Sequence, residues 1–250
     1  VQLRSAYPHL TKAEKKVADF ILEHAREVLF MSITDLADAC TVGETTVFRF
    51  CKSMKLQGYQ EFKIQLSLSI QSEDSRKGQE VMTENVGMDD SFPTMADKLL
   101  NSNVNVLKET NALLDEEKLS SLIQQMISAH RIFFFGVGAS QVMAMMCANK
   151  FLRISSKVYC YTDSHMQTMV ASTLQEGDVA VVISYSGSTK DSILIAKLAG
   201  KGGAYVAGIT RFAKSPLANF ADVVLLCGAN EGPLQGGSTT AVISQMYIME

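Results

Sequence analysis

GDVAVVISYSGST, residues 177–189, joins an unbroken apolar run to a turn crowded with hydroxyl groups. A short apolar run bounded by glycine and serine is typical of a strand buried on both faces, as in a parallel sheet. A helical segment follows the turn. The order strand, turn, helix is the repeating unit of α/β proteins.

Four similar apolar runs surround this one and alternate with helical segments. Strands separated by helices are parallel and joined by right-handed crossovers, so both faces of their sheet are covered. Residues 94–250 are therefore predicted to form a doubly wound α/β domain with a five-stranded parallel sheet, beginning with two amphipathic helices around Met95–Leu107 and Glu116–Ser128. The four runs are Arg131–Phe135, Lys157–Tyr161, Tyr205–Thr210 and Asp222–Leu226.

Apolar residues recur at helical spacing from Thr11 to about Ile70, which predicts an all-α domain over residues 1–74. Thr11 with Glu14, and Ser32 with Asp35, each have the capping-box pattern of a helix start. Between the two halves, residues 75–93 are polar and charged, and we interpret them as a linker.

Within the first domain, a short helix ends near Cys40 and another begins near Glu44. The break between them contains Gly43, which we expect to adopt the backbone angles of a sharp turn. Such a pair is the geometry of a helix-turn-helix, whose second helix enters the major groove of DNA. A plain helical bundle with solvated charges is the alternative, but the small threonines beside an arginine favour operator DNA.

Six polar side chains are the candidates for this DNA surface. Three of them are predicted to face base edges and three to lie nearer phosphates. Glu44 either accepts a hydrogen bond from cytosine or favours the helix N-terminus. The base-edge candidates are Thr45, Thr46 and Arg49, and the phosphate candidates are Lys52, Lys55 and Lys63.

The first strand of the second domain ends in GVGAS, Gly136–Ser140, directly before a helix. Ligands bind at such carboxyl ends of parallel strands, so the Ser140 hydroxyl is a candidate contact. A dinucleotide site is the alternative, with Asp163 as its ribose-binding acid, but Gln141 stands where its fingerprint needs a third glycine.

The turn Ser184–Thr189 brings four hydroxyl groups together before a helix, and neutral donors with a helix dipole can hold a phosphate. A capping box of Ser188 with Asp191 is the structural alternative, and it leaves the other hydroxyls unexplained. His165 follows the second strand and is either a structural residue or a ligand contact.

The segment SITDLADACTVGETTVFRFCKSMKLQGYQEFK, residues 32–63, resembles the N-terminal domain of the RpiR family of bacterial regulators. The resemblance is carried by the V-x-R-F-C-K and G-Y-x-E-F-K elements. It implies a DNA-binding regulator of carbohydrate genes. The family often has Ser where Gly43 stands, so a capping hydrogen bond is absent from this helix start.

Residues 94–250 resemble the sugar isomerase (SIS) domain through GDVAVVIS, SYSGST and GITRFAKSPLANFAD. This resemblance implies a phosphorylated sugar as effector. Gln235–Gly237 replace the family's Arg-Ser-Gly run, which removes a cation near the sugar. The implied contacts are Ser140, Ser184, Ser186, Ser188 and Thr189, with Tyr185 and Gly187 shaping the loop and Glu231 touching the sugar.

Composition adds few constraints. The net charge is −3, so DNA binding requires a local basic face. Five scattered cysteines, without a CxxC pair, are expected to be reduced core residues of a cytoplasmic protein. We expect no membrane segment, metal or cofactor.

Three functions remain open on this sequence. The first is a homodimeric or homotetrameric regulator that binds a sugar phosphate without transforming it. The second is a phosphosugar isomerase or lyase with Glu231 as base and an N-terminal oligomerisation module. The third is a phosphosugar-binding module without DNA contact.

Overall fold

The computed structural model separates into two compact units. The first ends at Lys98 and the second begins at Leu99. No described helix combines the length and apolar character that a membrane crossing requires. The described residues are 3, 6–77, 86–87, 89–228 and 239–250.

The first unit is helical, as predicted. Both predicted capping boxes form, because Thr11 accepts from Glu14 N at 3.3 Å and Ser32 accepts from Asp35 N at 3.0 Å. The last helix continues to Lys77, past the expected limit at residue 74. The helices are α1 (Lys12–Glu23), α2 (Ala25–Val28), α3 (Ile33–Ala39), α4 (Glu44–Ser53) and α5 (Tyr59–Lys77).

The core of this unit lies between α1, α3, α4 and the start of α5. Val47, Phe50 and Cys51 of α4 are fully buried. The Phe50 ring meets the Phe62 ring edge to face at 5.5 Å between centroids. Truncation of a buried Phe to Ala costs about 3–5 kcal/mol, so this packing fixes α4 on the domain.

The second unit alternates strands and helices in the predicted order. The helix that leads into this unit begins before Leu99 and is longer at both ends than the expected Met95–Leu107. The elements are α6 (Phe92–Leu113), α7 (Glu116–Ser128), β1 (Arg131–Gly136), α8 (Ala139–Phe151), β2 (Val158–Cys160), α9 (Ser164–Ala171), β3 (Asp178–Ile183), α10 (Lys190–Lys201), β4 (Tyr205–Thr210), β5 (Val223–Leu226) and α11 (Thr239–Ile248).

The five strands form one parallel sheet in the order β2-β1-β3-β4-β5. Phe134 and Val181 face one side, where they pack with Met143 of α8. Phe135 and Ile195 of α10 pack on the other side. The strand order reverses between β1 and β3, which places α8 and α10 on opposite faces of the sheet. Open α/β sheets bind ligands at such a point.

The opposite edge of the sheet is held by an ion pair. The Arg131 Nε donates to Asp178 Oδ1 at 3.0 Å where β1 and β3 begin. Burial favours a raised pKa for Asp178, but the hydrogen bonds from Arg131 and the Gln175 amide outweigh it and hold the pKa below its ordinary value. This contact joins the first paired residues of β1 and β3.

The cysteines are free thiols. Burial raises the pKa of Cys51, Cys147 and Cys227 to about 12, so these thiols are protonated near neutral pH. Protonated buried thiols are unreactive, and these three serve as apolar core residues.

Candidate functional site

The break between α3 and α4 is built differently from the expected turn. Thr41, not Gly43, has the left-handed backbone, at φ 54°, whereas Gly43 is extended at φ −81° and ψ 155°. Val42 N donates to Ala37 O at 2.9 Å, and Thr41 N donates to Asp38 O at 3.0 Å. These two bonds define a Schellman cap on α3, so the motif turns by a helix-capping mechanism.

The start of α4 is tied to α3. No side chain caps α4 at Gly43, as expected. The Thr34 hydroxyl donates to Glu44 Oε1 at 2.6 Å. Glu44 is therefore engaged within the protein and holds the angle between the two helices.

The outer face of α4 is polar and basic with one aromatic ring. Thr45, Arg49 and Lys52 are exposed, and Thr46 is half-buried. The Lys52 ammonium lies 5.3 Å from the centroid of the Phe48 ring, a half-exposed aromatic that the sequence reasoning passed over.

Lys55 and Lys63, expected on the same surface, have different surroundings. Lys55 is exposed just beyond α4, with a left-handed backbone. Lys63 is 7% exposed, donates to Met31 O at 3.3 Å and lies over the Tyr59 ring. Its ammonium is held inside the domain, and we withdraw Lys63 from the predicted phosphate contacts.

The loop after β1 is clamped by a buried amide. Gln167 of α9 accepts from Gly136 N at 3.3 Å and donates to Gly136 O at 3.0 Å. A Cβ on Gly136 would lie 2.3 Å from Ser140 O, so the close turn into α8 requires glycine there. Ser140 is half-buried in the first turn of α8, above this clamp.

The side chains at the two positions that decide the dinucleotide alternative make hydrogen bonds within the protein. The Gln141 amide donates to Thr162 O. Asp163 is the N-cap of α9 and accepts from Met166 N at 2.8 Å. Its carboxylate therefore serves a helix cap.

The loop after β3 lies beside the loop after β1, because Gly136 pairs with Ile183 and the two strands end level. Ser184 is buried, and its hydroxyl donates to the Thr189 hydroxyl at 3.5 Å. Ser188 N donates to Ser186 Oγ at 3.2 Å. The Ser184 and Thr189 hydroxyls therefore contact each other, and the Ser186 hydroxyl is bonded to a backbone amide of the same turn.

The capping box of Ser188 with Asp191 does not form. The N-cap of α10 is Thr189, which makes no side-chain cap bond. Gly187 has φ +59°, and a Cβ there would lie 2.3 Å from Ser215 Oγ. The turn is thus shaped by glycine and by the next loop.

A side wall of this edge was missed by sequence reasoning. Thr210 Oγ1 and Arg211 N both donate to Tyr185 O at 3.0 Å, which ties the loop after β4 to the loop after β3. Tyr185 packs on Val106 and Ala241. Helix α6 therefore lies against the same edge.

Helix α6 also contributes polar contacts. Gly228 N donates to the buried Thr110 Oγ1 at 3.0 Å. The Glu109 Oε1 lies 2.8 Å from Arg211 Nη2. The position of Arg211 directly after a strand was a usable signal, whereas nothing local marks Glu109 as its partner.

The described residues show no contact between this cluster and the remaining candidates. His165 is exposed in the first turn of α9. Glu231 and Gln235–Gly237 lie outside the described residues. Among the described His, Cys, Asp and Glu side chains, no group of three could hold a metal ion.

Comparison with known proteins identifies the family of this chain. Residues 1–73 match the helix-turn-helix domain of the rpiR family, and residues 125–250 match the SIS domain. An uncharacterized HTH-type transcriptional regulator of Haemophilus influenzae is 36% identical over 100% of this chain and 86% of its own length. The chain belongs to the rpiR family of helix-turn-helix transcriptional regulators.

Two further relatives share both halves of this rpiR-family regulator. HexR of Pseudomonas aeruginosa, an HTH-type transcriptional regulator, is 38% identical over 90% of this chain and 76% of its own length. The Vibrio vulnificus NanR protein, solved in complex with ManNAc-6P, superposes with a TM-score of 0.85 and 31% identity. That match covers 99% of this chain and 87% of NanR. The predicted fold class and family are confirmed.

Proposed function

We propose that this regulator controls carbohydrate-metabolism genes through a phosphorylated sugar bound at the carboxyl edge of its sheet. The observation that carries the proposal is the level ending of β1 and β3, because the loops that hold Ser140 and the hydroxyl turn Ser184–Thr189 follow these two strands. A phosphate there accepts hydrogen bonds from neutral hydroxyls. It also lies at the N-termini of α8 and α10, where helix dipoles favour an anion.

The DNA-reading role is proposed for α4 and the residue just beyond it. Thr45, Thr46 and Arg49 are assigned to base edges, and Lys52 and Lys55 to phosphates. Their exposure and the capped α3–α4 turn support this assignment. The proposed DNA-binding domain covers residues 1–74, the linker 75–93 and the effector domain 94–250.

We propose that the protein is a homodimer or homotetramer in the cytoplasm. A helix-turn-helix protein usually reads two half-sites, which requires two copies. Val142, Met145 and Met146 of α8, and Met166 and Met169 of α9, leave large apolar side chains exposed. Such exposed apolar surface is typical of subunit contacts.

We further propose that the effector is bound and not transformed. The V. vulnificus NanR protein, solved in complex with ManNAc-6P, supports phosphosugar binding by a chain of this architecture. Incubation with a panel of sugar phosphates should leave them unchanged. Turnover that Glu231→Gln abolishes, in a protein without specific DNA binding, would establish the isomerase alternative instead.

One experiment tests the effector site. Operator binding is measured with and without each sugar phosphate, for the wild type and for Ser184→Ala. Loss of one hydrogen bond to a charged group costs about 1.5–3 kcal/mol, so effector binding should weaken at least tenfold with operator affinity kept. Ser156→Ala, which precedes β2 at the other edge, is the matched control. An unchanged effector response in Ser184→Ala would contradict the site.

A second experiment tests the recognition helix. Arg49→Ala should weaken operator binding and lower its salt dependence, because a cation is lost from the DNA surface. Arg153→Ala removes an exposed arginine from the second unit and should change neither. If Arg49→Ala kept both quantities, the assignment of α4 would be wrong.

A further inference from the structure

The pair formed by Arg211 and Glu109 lies on the side wall of the proposed effector site. Arg211 is the first residue after β4, and its backbone is held by Tyr185 O of the hydroxyl turn. Its side chain extends to α6, where Nη2 lies 2.8 Å from Glu109 Oε1. The pair is only partly exposed, with 24% of the Arg211 side chain and 35% of the Glu109 side chain accessible.

The surroundings fix the pair at the carboxyl edge. On α6, Val106 packs on Tyr185, and Thr110 accepts from Gly228 N just after β5. Glu109 lies between these two anchored residues in the helix. Strand β4 is the direct neighbour of β3, about 4.8 Å away, so the residue that follows β4 lies beside the turn that follows β3.

The chemistry of the pair decides what it can bind. Arg211 supplies N–H donors and Glu109 supplies acceptor oxygens, which is the combination that neighbouring hydroxyl groups need. The two charges offset each other, so the pair does not attract a further anion as a lone arginine does. A ligand carboxylate beside Glu109 would meet a like charge in a partly desolvated place.

We propose that the Arg211–Glu109 pair binds hydroxyl groups of the effector's sugar. The pair thereby selects a phosphorylated sugar without a carboxylate over a phosphorylated sugar acid. The selection rests on the proposed phosphate site at Ser184–Thr189. It names the ligand class of that site, and it assigns Arg211 and Glu109 as specificity-determining residues.

The test uses three probes: sorbitol 6-phosphate, 6-phosphogluconate and inorganic phosphate. The first two differ in a terminal hydroxymethyl group against a carboxylate. Calorimetry on the full chain should give at least tenfold tighter binding of sorbitol 6-phosphate. Glu109→Gln should reduce that ratio about tenfold. Arg211→Gln should weaken sorbitol 6-phosphate at least tenfold and leave inorganic phosphate unchanged.

Matched controls are Lys214→Gln, on the same loop, and Glu176→Gln, at the other edge of the sheet. Both should leave the ratio unchanged. A wild-type preference for 6-phosphogluconate, or an unaltered ratio in Glu109→Gln, would overturn the selection. Weakening of inorganic phosphate by Arg211→Gln would assign Arg211 to the phosphate and overturn it equally.

Failure of the underlying site gives a different result. If none of the probes binds, or if Ser184→Ala leaves all three affinities unchanged, the proposed function is contradicted and the selection with it. If Ser184→Ala weakens all three probes while Glu109→Gln leaves their ratio intact, the site stands and only the selection is wrong.

Discussion

The carboxylate of Glu14 joins the start of α1 to the end of α4. Thr11 N donates to Oε2 at 2.8 Å, and the Ser53 hydroxyl donates to Oε1 at 2.8 Å. The side-chain and backbone hydrogen bonds of Thr11, together with Ser53 and nearby Arg49, hold the pKa of Glu14 below its ordinary value of 4.5 despite burial. The capping box therefore also anchors the proposed recognition helix.

This lowered pKa predicts an acid-sensitive contact. A carboxylate with a depressed folded-state pKa stabilises the protein above its unfolded pKa, and that contribution is lost as the pH falls through the folded value. The free energy of unfolding of the wild type should therefore fall more steeply below about pH 4.5 than that of Glu14→Gln. Chemical denaturation across pH measures this, with exposed Glu23→Gln as the control that keeps the wild-type slope.

The left-handed backbone of Thr41 predicts that a glycine at this position stabilises the protein. A β-branched residue with positive φ is strained, whereas glycine adopts this region freely. Thr41→Gly should raise the free energy of unfolding by about 1 kcal/mol. Thr45→Gly, in the first turn of α4, should instead lower it, by roughly 0.5–1 kcal/mol. Equal losses in the two variants would contradict the left-handed cap.

At the scale of secondary-structure elements, β2 is short. The Gln167 side chain makes the hydrogen bonds to Gly136 that a longer β2 would make. Strand β2 ends at Cys160, which pairs with Phe134, so Gly136 receives no further partner from β2. The Gln167 amide supplies both a donor and an acceptor to Gly136, as a further strand residue would.

Gln167→Leu is therefore predicted to leave two buried backbone groups without their partner. We expect a loss of about 3 kcal/mol in the free energy of unfolding, since each such group costs about 1–3 kcal/mol. Denaturant unfolding measures the loss, and Gln124→Leu on the exposed face of α7 is the control. A loss under 1 kcal/mol would show that the clamp adds little.

Sequence reasoning worked best where one local pattern determines the element. The strand positions follow from apolar runs, and the capping boxes follow from side chains three residues apart. It failed where the outcome depends on long-range packing. Lys63 is a charged residue, which predicts a surface position. Its ammonium instead donates to Met31 O and lies over the Tyr59 ring, inside the domain. Glu109 on α6 meets Arg211 after β4, although the two residues are far apart in the sequence.

At the scale of the whole molecule, the two proposed sites lie in different compact units. A ligand that binds the folded state alone stabilises it by about 2.7 kcal/mol at one hundred times its Kd. A sugar phosphate from the panel that binds should therefore stabilise the wild type and Arg49→Ala equally, as measured by denaturant unfolding. Ser184→Ala should gain less at the same concentration, and an equal gain there would contradict the site.

Helix α6 is an unbroken run of 22 residues that carries Glu109 near one end and starts at Phe92. At 1.5 Å per residue, about 27 Å of rigid rod separate Thr110 from Phe92. Such a rod acts as a lever: a tilt of about 5° around Thr110 displaces the Phe92 end by about 2 Å. A small tilt beside the proposed sugar site is thereby magnified along the length of the helix itself.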